Sequence, residues 1–166
     1  GYINFMYSKT TNGVTVTVTP YFLDDQSSPQ ESHFVWAYQV NIKNSGHSSI
    51  KLNHRNWLII DANGKVMNVQ GEGVVGEFPT IEPGQSFEYT SGTPLKTNNG
   101  IMQGFYLVSQ DNLEKLKIYI HYFSLYSHYK KKNINYDKNN FFFHVLKNPL
   151  IDKINFFSVS ISESFE

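Results

Sequence analysis

The stretch HFVWAYQVNIKN, residues 33–44, alternates with a period of two. Phe34, Trp36, Tyr38, Val40 and Ile42 fall on one side; Ala37, Gln39, Asn41 and Lys43 fall on the other. Successive side chains of an extended strand point to opposite faces, so this pattern places one apolar face against a core. The same period recurs outward in both directions. In VTVTVTP, residues 14–20, Val14, Val16 and Val18 alternate with Thr15, Thr17 and Thr19. SGHS at 45–48 interrupts, and IKLNHRNWLII at 50–60 resumes. DANG at 61–64 is a hairpin turn, because Asn-Gly supplies the positive φ that a tight turn requires. KVMNVQ at 65–70 is the returning strand. EPGQ at 82–85 is a second turn, with Pro83 fixing φ and Gly84 free to take φ > 0. SFEYT at 86–90 follows, with Phe87 and Tyr89 on one face. GIMQGFYLVSQ and EKLKIYIHYF close the series as a hairpin across DNLE. In the last strand Leu116, Ile118 and Ile120 face one way; Lys115, Lys117, Tyr119 and His121 face the other. About seven strands with short connections, and no amphipathic helix, predict an all-β, antiparallel two-sheet sandwich, with a closed barrel as the alternative.

Composition agrees. The chain has 166 residues, 13 Phe, 11 Tyr and 2 Trp, and aromatic residues suit half-buried pleated surfaces. That length is about one domain, long enough to bury a core without covalent staples. There is no Cys, which excludes disulfides, thiolate metal sites and cysteine nucleophiles. A formal net charge of zero argues against a general nucleic-acid or anionic-membrane binder. GYINFMYSKT has no basic segment followed by an apolar one, so no signal peptide is read, and no apolar run approaches the ~20 residues of a bilayer span. The expected location is the cytoplasm. The chain begins with Gly1, which leaves open whether its natural start lies upstream or at Met6.

The organisation changes near residue 128. A sandwich domain over 1–128 is followed by a 129–166 segment rich in Lys, Asn, Phe and Ile and devoid of Gly. Its six Lys against Asp137, Asp152, Glu163 and Glu166 leave +2. Three readings are open: a disordered appendage, a translated AT-rich segment from a shifted reading frame, or an ordered interaction segment. FFFHVL and INFFSVSI are aggregation-prone when exposed, being apolar, β-prone and free of Pro.

NVQGEGVVGEFP, residues 68–79, spaces Gly71, Gly73 and Gly76 as G-x-G-x-x-G. A dinucleotide site needs a helix opening at that loop to hold the pyrophosphate. Pro79, Pro83 and Gly84 prevent one, and residues 90–100 contain none of the acids expected to hold the ribose. Glu72 and Glu77 also repel an anion. The glycines are therefore expected to permit bulges and a sharp bend where the chain leaves one sheet for the other, with Val74 and Val75 plugging into the core. A second reading keeps a ligand: backbone N–H groups at Gly71, Gly73 and Gly76 form an anion nest, and Arg55, the only Arg, supplies the charge.

Catalytic and metal signals are weak. None of the six His has a second His at ligand spacing. His33 with Asp24 and Asp25 is a candidate divalent site, but three ligands at one locus would be required. Ser91 in TSGTP lacks the strand–turn–helix context of a nucleophile elbow. An enzyme would need Arg55, a His and a carboxylate converging in one pocket. His54 is expected to alternate with Arg55 across the sheet. Asp61 is expected to cap its own turn. Trp36 and Trp57 are expected in the core.

Two longer stretches carry a resemblance. LNHRNWLIIDANGKVMNVQGEGVVGEFPTIEPGQSFEYTSGTPL, with Arg55, Trp57, Ile59 and Asp61 as R-x-W-x-I-x-D and Val69 to Gly76 as V-x-G-x-G-V-V-G, resembles the signature of the ApaG domain family. VTVTPYFLDDQSSPQESHFVWAYQVNIKN, with Tyr21, Ser27, Pro29, Tyr38, Ile42 and Asn44, resembles it too, as do GIMQGFYLV and IYIHYFSL. The likeness covers roughly residues 5–126, and the later segment has no counterpart in it. It implies a seven-stranded sandwich similar to fibronectin type III. The family occurs as small bacterial proteins and as a C-terminal module of some F-box proteins and a polymerase-interacting protein, where protein binding is the assumed role. It carries a loose genetic link to cobalt and magnesium resistance, and pyrophosphate has been considered as a ligand because of the glycine motif. The resemblance carries over no catalytic activity, and no cofactor or metal ligand is read from the residues. The expectation is a non-catalytic module binding a protein partner, with pyrophosphate or a nucleotide phosphate at Arg55, Gly71, Gly73 and Gly76 as the alternative.

Overall fold

The computed structural model describes residues 4–129. The reading of 129–166 as a separate segment lies, beyond Tyr129, outside the described residues. All strand pairings are antiparallel. One sheet has the order β1-β2-β3-β7, from β1 (Tyr7–Thr11), β2 (Val14–Phe22), β3 (Phe34–Asn44) and β7 (Ser86–Leu95). The other has the order β5-β4-β8-β9, from β4 (Ile50–Asp61), β5 (Val66–Glu72), β8 (Asn99–Gln110) and β9 (Leu113–Tyr126). The short β6 (Thr80–Ile81) pairs with the start of β4. The two sheets form the expected antiparallel sandwich.

Seven of these nine strands are the seven read from period. The additions are β1, whose YSKTT carries no apolar alternation, and β6, which is two residues long. Both are held by a partner strand rather than by their own pattern: β1 pairs with β2 from Tyr7↔Val18 to Thr11↔Val14.

The core lies between the sheets. Val14, Val16, Val18, Trp36, Val40 and Ile42 are fully enclosed on the first sheet; Leu52, Ile59, Tyr106, Val108, Ile118 and Phe123 meet them from the second. Burying side chains of this size contributes about 1.5–3 kcal/mol each before chain entropy is counted. Trp57 stands edge-on to Phe123, with ring centroids 5.9 Å apart, and 5.2 Å from Tyr38 of the opposite sheet. Trp36 crosses the sandwich to donate its indole N–H to the Tyr126 carbonyl at 3.2 Å.

Asn44, fully enclosed, ends β3. Its amide donates to the carbonyls of Ser48 (2.8 Å) and Ile81 (3.0 Å), and its Oδ1 accepts from Gly46 N–H at 3.0 Å. One side chain thus ties the bend after β3 to β6. The chain then changes sheets at the Glu82–Gln85 turn, closed by Gln85 N–H to Glu82 O at 2.9 Å. This corrects the expectation that the glycine loop makes that crossing: after Gly76 the chain returns through β6 to β4 of the same sheet.

Candidate functional site

The glycine loop is built around Arg55. Arg55 and Gly71 are paired across β4 and β5. The side chain of Arg55 points inward with Trp57 and Ile59, and only 8% of its surface is exposed. Its Nη1 donates to the carbonyls of Glu72 (3.0 Å) and Gly73 (3.2 Å). The guanidinium lies across the backbone of Gly71, where a Cβ would sit 2.7 Å from Nη1 and 2.8 Å from Cζ. Gly71 is therefore Gly because the arginine occupies the space.

The other two glycines have their own causes. Gly73 has φ of +64°, and a Cβ there would collide with the Glu77 carbonyl. Val74 and Glu77 exchange backbone hydrogen bonds of 2.8 and 2.9 Å around Val75 (φ +44°) and Gly76 (φ +76°). Two consecutive positive φ values are the signature of a tight hairpin turn, and Gly is the residue that adopts them without cost. Val75 is β-branched and strained in this conformation. It packs against the core beside the enclosed Val74, which offsets that strain and matches the expectation for both valines. Gly73 N–H donates to Asn53 O at 2.7 Å, so three N–H groups of the loop are already bonded inside the protein.

Arg55 also faces a group of enclosed tyrosines. Tyr38, Tyr89 and Tyr106 are all buried, and the hydroxyls of Tyr89 and Tyr106 are hydrogen-bonded to each other. Burial pushes the Tyr38 phenol up to about 12, against smaller opposing effects of the Ser91 hydroxyl and the Arg55 charge. Burial also raises Tyr106, and raises Tyr89 with further help from the neighbouring phenols. These hydroxyls stay protonated and cannot serve as bases near neutral pH.

The remaining sequence candidates separate. Asp61 caps its turn, with Oδ1 accepting from the N–H groups of Asn63 and Lys65, both at 2.9 Å. Trp36 and Trp57 are core residues. Arg55 faces the core and His54 points outward, as alternation requires. Among the described residues no group of three or more His, Asp or Glu is placed to hold a metal ion, and no helix is long and apolar enough to cross a membrane.

A polar concavity lies where no candidate site was named. A groove of about 440 Å³ opens on the outer face of the second sheet, lined by Asn53, His54, Asn56, Gln70, Glu114 and Lys115 among others. Asn53 is held by a 2.5 Å bond from Nδ2 to Ser109 Oγ. Asn56, 7% exposed, makes no hydrogen bond through Nδ2. The signal for this groove was present in Asn53-His54-Arg55-Asn56, four polar residues within a strand. A register shift between Leu52 and His54 brings Asn53 and His54 to the same rim, and period alone does not reveal that.

Comparison with known proteins fits this architecture. A family model described as the ApaG domain matches residues 24–110. The chain is 51% identical over 130 residues to Protein ApaG of Paramagnetospirillum magneticum, covering 78% of this chain and 100% of that one. Protein ApaG of Rhodospirillum centenum is 46% identical over the same coverage. A crystal structure described as an ApaA protein from Bordetella pertussis is 39% identical, with a TM-score of 0.67 over 70% of this chain and 95% of that one.

Proposed function

Since the chain belongs to the ApaG domain family, we propose that it is a non-catalytic module that binds another protein. The observation that carries this reading is the asymmetry of the sandwich edges. On one side β1 is closed against β9, where Tyr119 N–H donates to Thr11 Oγ1 at 3.2 Å. On the other side β7, ten residues long, ends the first sheet, and β5 ends the second. An edge strand presents backbone donors and acceptors that an incoming chain can pair. A cytoplasmic setting and any tie to cobalt or magnesium homeostasis, acting through the partner, belong to the same reading; a chain without cysteine is compatible with the first.

The test is a pull-down with the full chain at physiological salt, followed by hydrogen exchange on the recovered complex. The reading expects a near-stoichiometric partner that protects amides of β5 or β7. A complex whose protection falls wholly elsewhere would refute it, as would recovery of no protein above background.

A second reading puts pyrophosphate or a nucleotide phosphate at Arg55, Gly71, Gly73 and Gly76. In its favour, Arg55 does reach the loop. Against it, the guanidinium is buried and faces two carbonyls, three loop N–H groups are already bonded, and Glu72 and Glu77 flank the loop. Protein binding is therefore the stronger reading.

A further inference from the structure

We propose that an apolar row on the outer face of the second sheet is the docking site of this chain's own residues 130–166. The inference goes beyond the protein-binding reading and leaves the β5 and β7 edges available to a partner.

Leu58, Ile60 and Ile101 alternate along β4 and β8 with Trp57, Ile59 and Met102, which belong to the core between the sheets. Their side chains therefore point outward, away from the first sheet. Yet Leu58 is 0%, Ile60 2% and Ile101 5% exposed. Ile60 pairs with Val66 on one side and with Ile101 on the other, so these three form an apolar row across the sheet. Leu58 lies next to that row on β4, set back from the turn that follows Asp61.

The first sheet shows what neighbouring side chains achieve alone. β3, like β4, is an interior strand. Its outward residues Ala37, Gln39, Asn41 and Lys43 all keep exposed surface, even the small Ala37. Val35 is its one buried outward residue, and there a segment folds back against it: Ser27 Oγ accepts from Val35 N–H at 2.9 Å, and Leu23 N–H donates to Val35 O at 2.8 Å. Enclosing an outward Leu58 likewise calls for a covering segment. These exposures are those of a single chain with no partner, so the cover comes from the same chain.

The chain is delivered to this place. Asn98 stands in the β7–β8 turn, just before the strand that carries Ile101, and its Nδ2 donates to the Tyr129 carbonyl at 3.0 Å. The Tyr129 ring meets Phe34 at 5.7 Å. Beyond it the sequence holds two apolar runs, FFFHVL at 141–146 and INFFSVSI at 154–161. An extended chain covers about 3.3 Å per residue, so the link from Tyr129 to Phe141 is long enough to cross the face. Docking buries the apolar row and the aggregation-prone runs against each other.

The chain has no Cys, so one introduced cysteine carries a nitroxide spin label at a chosen place. Gln103→Cys labels the outer face of the second sheet opposite Leu58. Lys117→Cys labels it from β9 at an exposed position that leaves the row untouched, and Thr90→Cys, exposed on β7, labels the first sheet as a control. In the isotope-labelled full chain we expect the labels at 103 and 117 to broaden amide signals within 141–161, and the label at 90 to leave them sharp. A spin-labelled chain mixed with a separate isotope-labelled chain should broaden nothing, which places the contact within one chain. Broadening in the mixture assigns the face to a second copy and overturns the proposal. Sharp 141–161 signals with both the 103 and the 117 label also overturn it.

Discussion

Arg55 and Gly71 are cross-strand partners in which the side chain of one occupies the space a side chain on the other would need, 2.7 Å from the position of a Cβ. The arginine is buried yet hydrogen-bonded to the carbonyls of Glu72 and Gly73. Gly71→Ala forces the guanidinium to move and is expected to cost about 3 kcal/mol, the upper range for overpacking. Arg55→Ala should cost a similar ~3 kcal/mol, since it strands two carbonyls and opens a void. Urea unfolding measures both. The double variant should lose less than the sum, because the two residues oppose each other directly.

Gly73 and Gly76 separate collision from conformation. Both have positive φ, but only Gly73 faces an obstruction, the Glu77 carbonyl. Gly76→Ala is expected to cost about 1 kcal/mol, the conformational cost alone. Gly73→Val adds a clash with backbone and should cost more than 3 kcal/mol or prevent folding. Similar losses at the two positions, measured by thermal unfolding, would contradict this assignment.

Alkaline pH should unfold the protein through its enclosed tyrosines. Their folded values lie above the ordinary 10, with Tyr38 at about 12. The unfolded chain therefore releases protons first, so stability is complete below pH 10 and falls as pH rises toward 12. Each such tyrosine contributes a slope of up to about 1.4 kcal/mol per pH unit in that window. Absorbance of phenolate at alkaline pH should show a group of tyrosines that ionise only together with loss of the β-sheet circular dichroism signal. Full ionisation of all 11 tyrosines with the sheet signal intact would contradict it.

Asp61 organises the β4–β5 turn by accepting from two backbone N–H groups. Asp61→Ala should cost about 1–3 kcal/mol, because the residue is 7% exposed and both donors lose their partner. Asp61→Asn keeps a carbonyl oxygen at the same position and should recover most of that loss, as chemical denaturation of both variants would show.

The fold was legible because alternation survives through β2 and β3, where Phe34, Trp36, Tyr38, Val40 and Ile42 lie in the core as period two requires; in β4 the run Arg55–Asp61 is buried throughout and carries no such period. Thr10 and Ser8 of β1 were not, since their side chains bond across to Thr15 and Thr17 rather than packing. At the site, Arg55 and the glycines were expected to meet at one loop, but not that Arg55 would fill the space beside Gly71. Only the cross-strand register puts Arg55 opposite Gly71, and only the three-dimensional bend puts Gly73 against Glu77. The polar run Asn53 to Asn56 hinted at the groove, but its shape was not legible, because it joins Asn56 of β4, Gln70 of β5 and Lys115 of β9, residues far apart in the chain.

Pyrophosphate titration of the full chain, followed by amide-resolved NMR at physiological salt, tests most directly whether the 71–77 loop is architecture completed by Arg55. The predicted result is no saturable shift up to millimolar ligand. Saturable shifts confined to residues 71–77 and the Arg55 guanidinium would contradict it and make the loop an anion site.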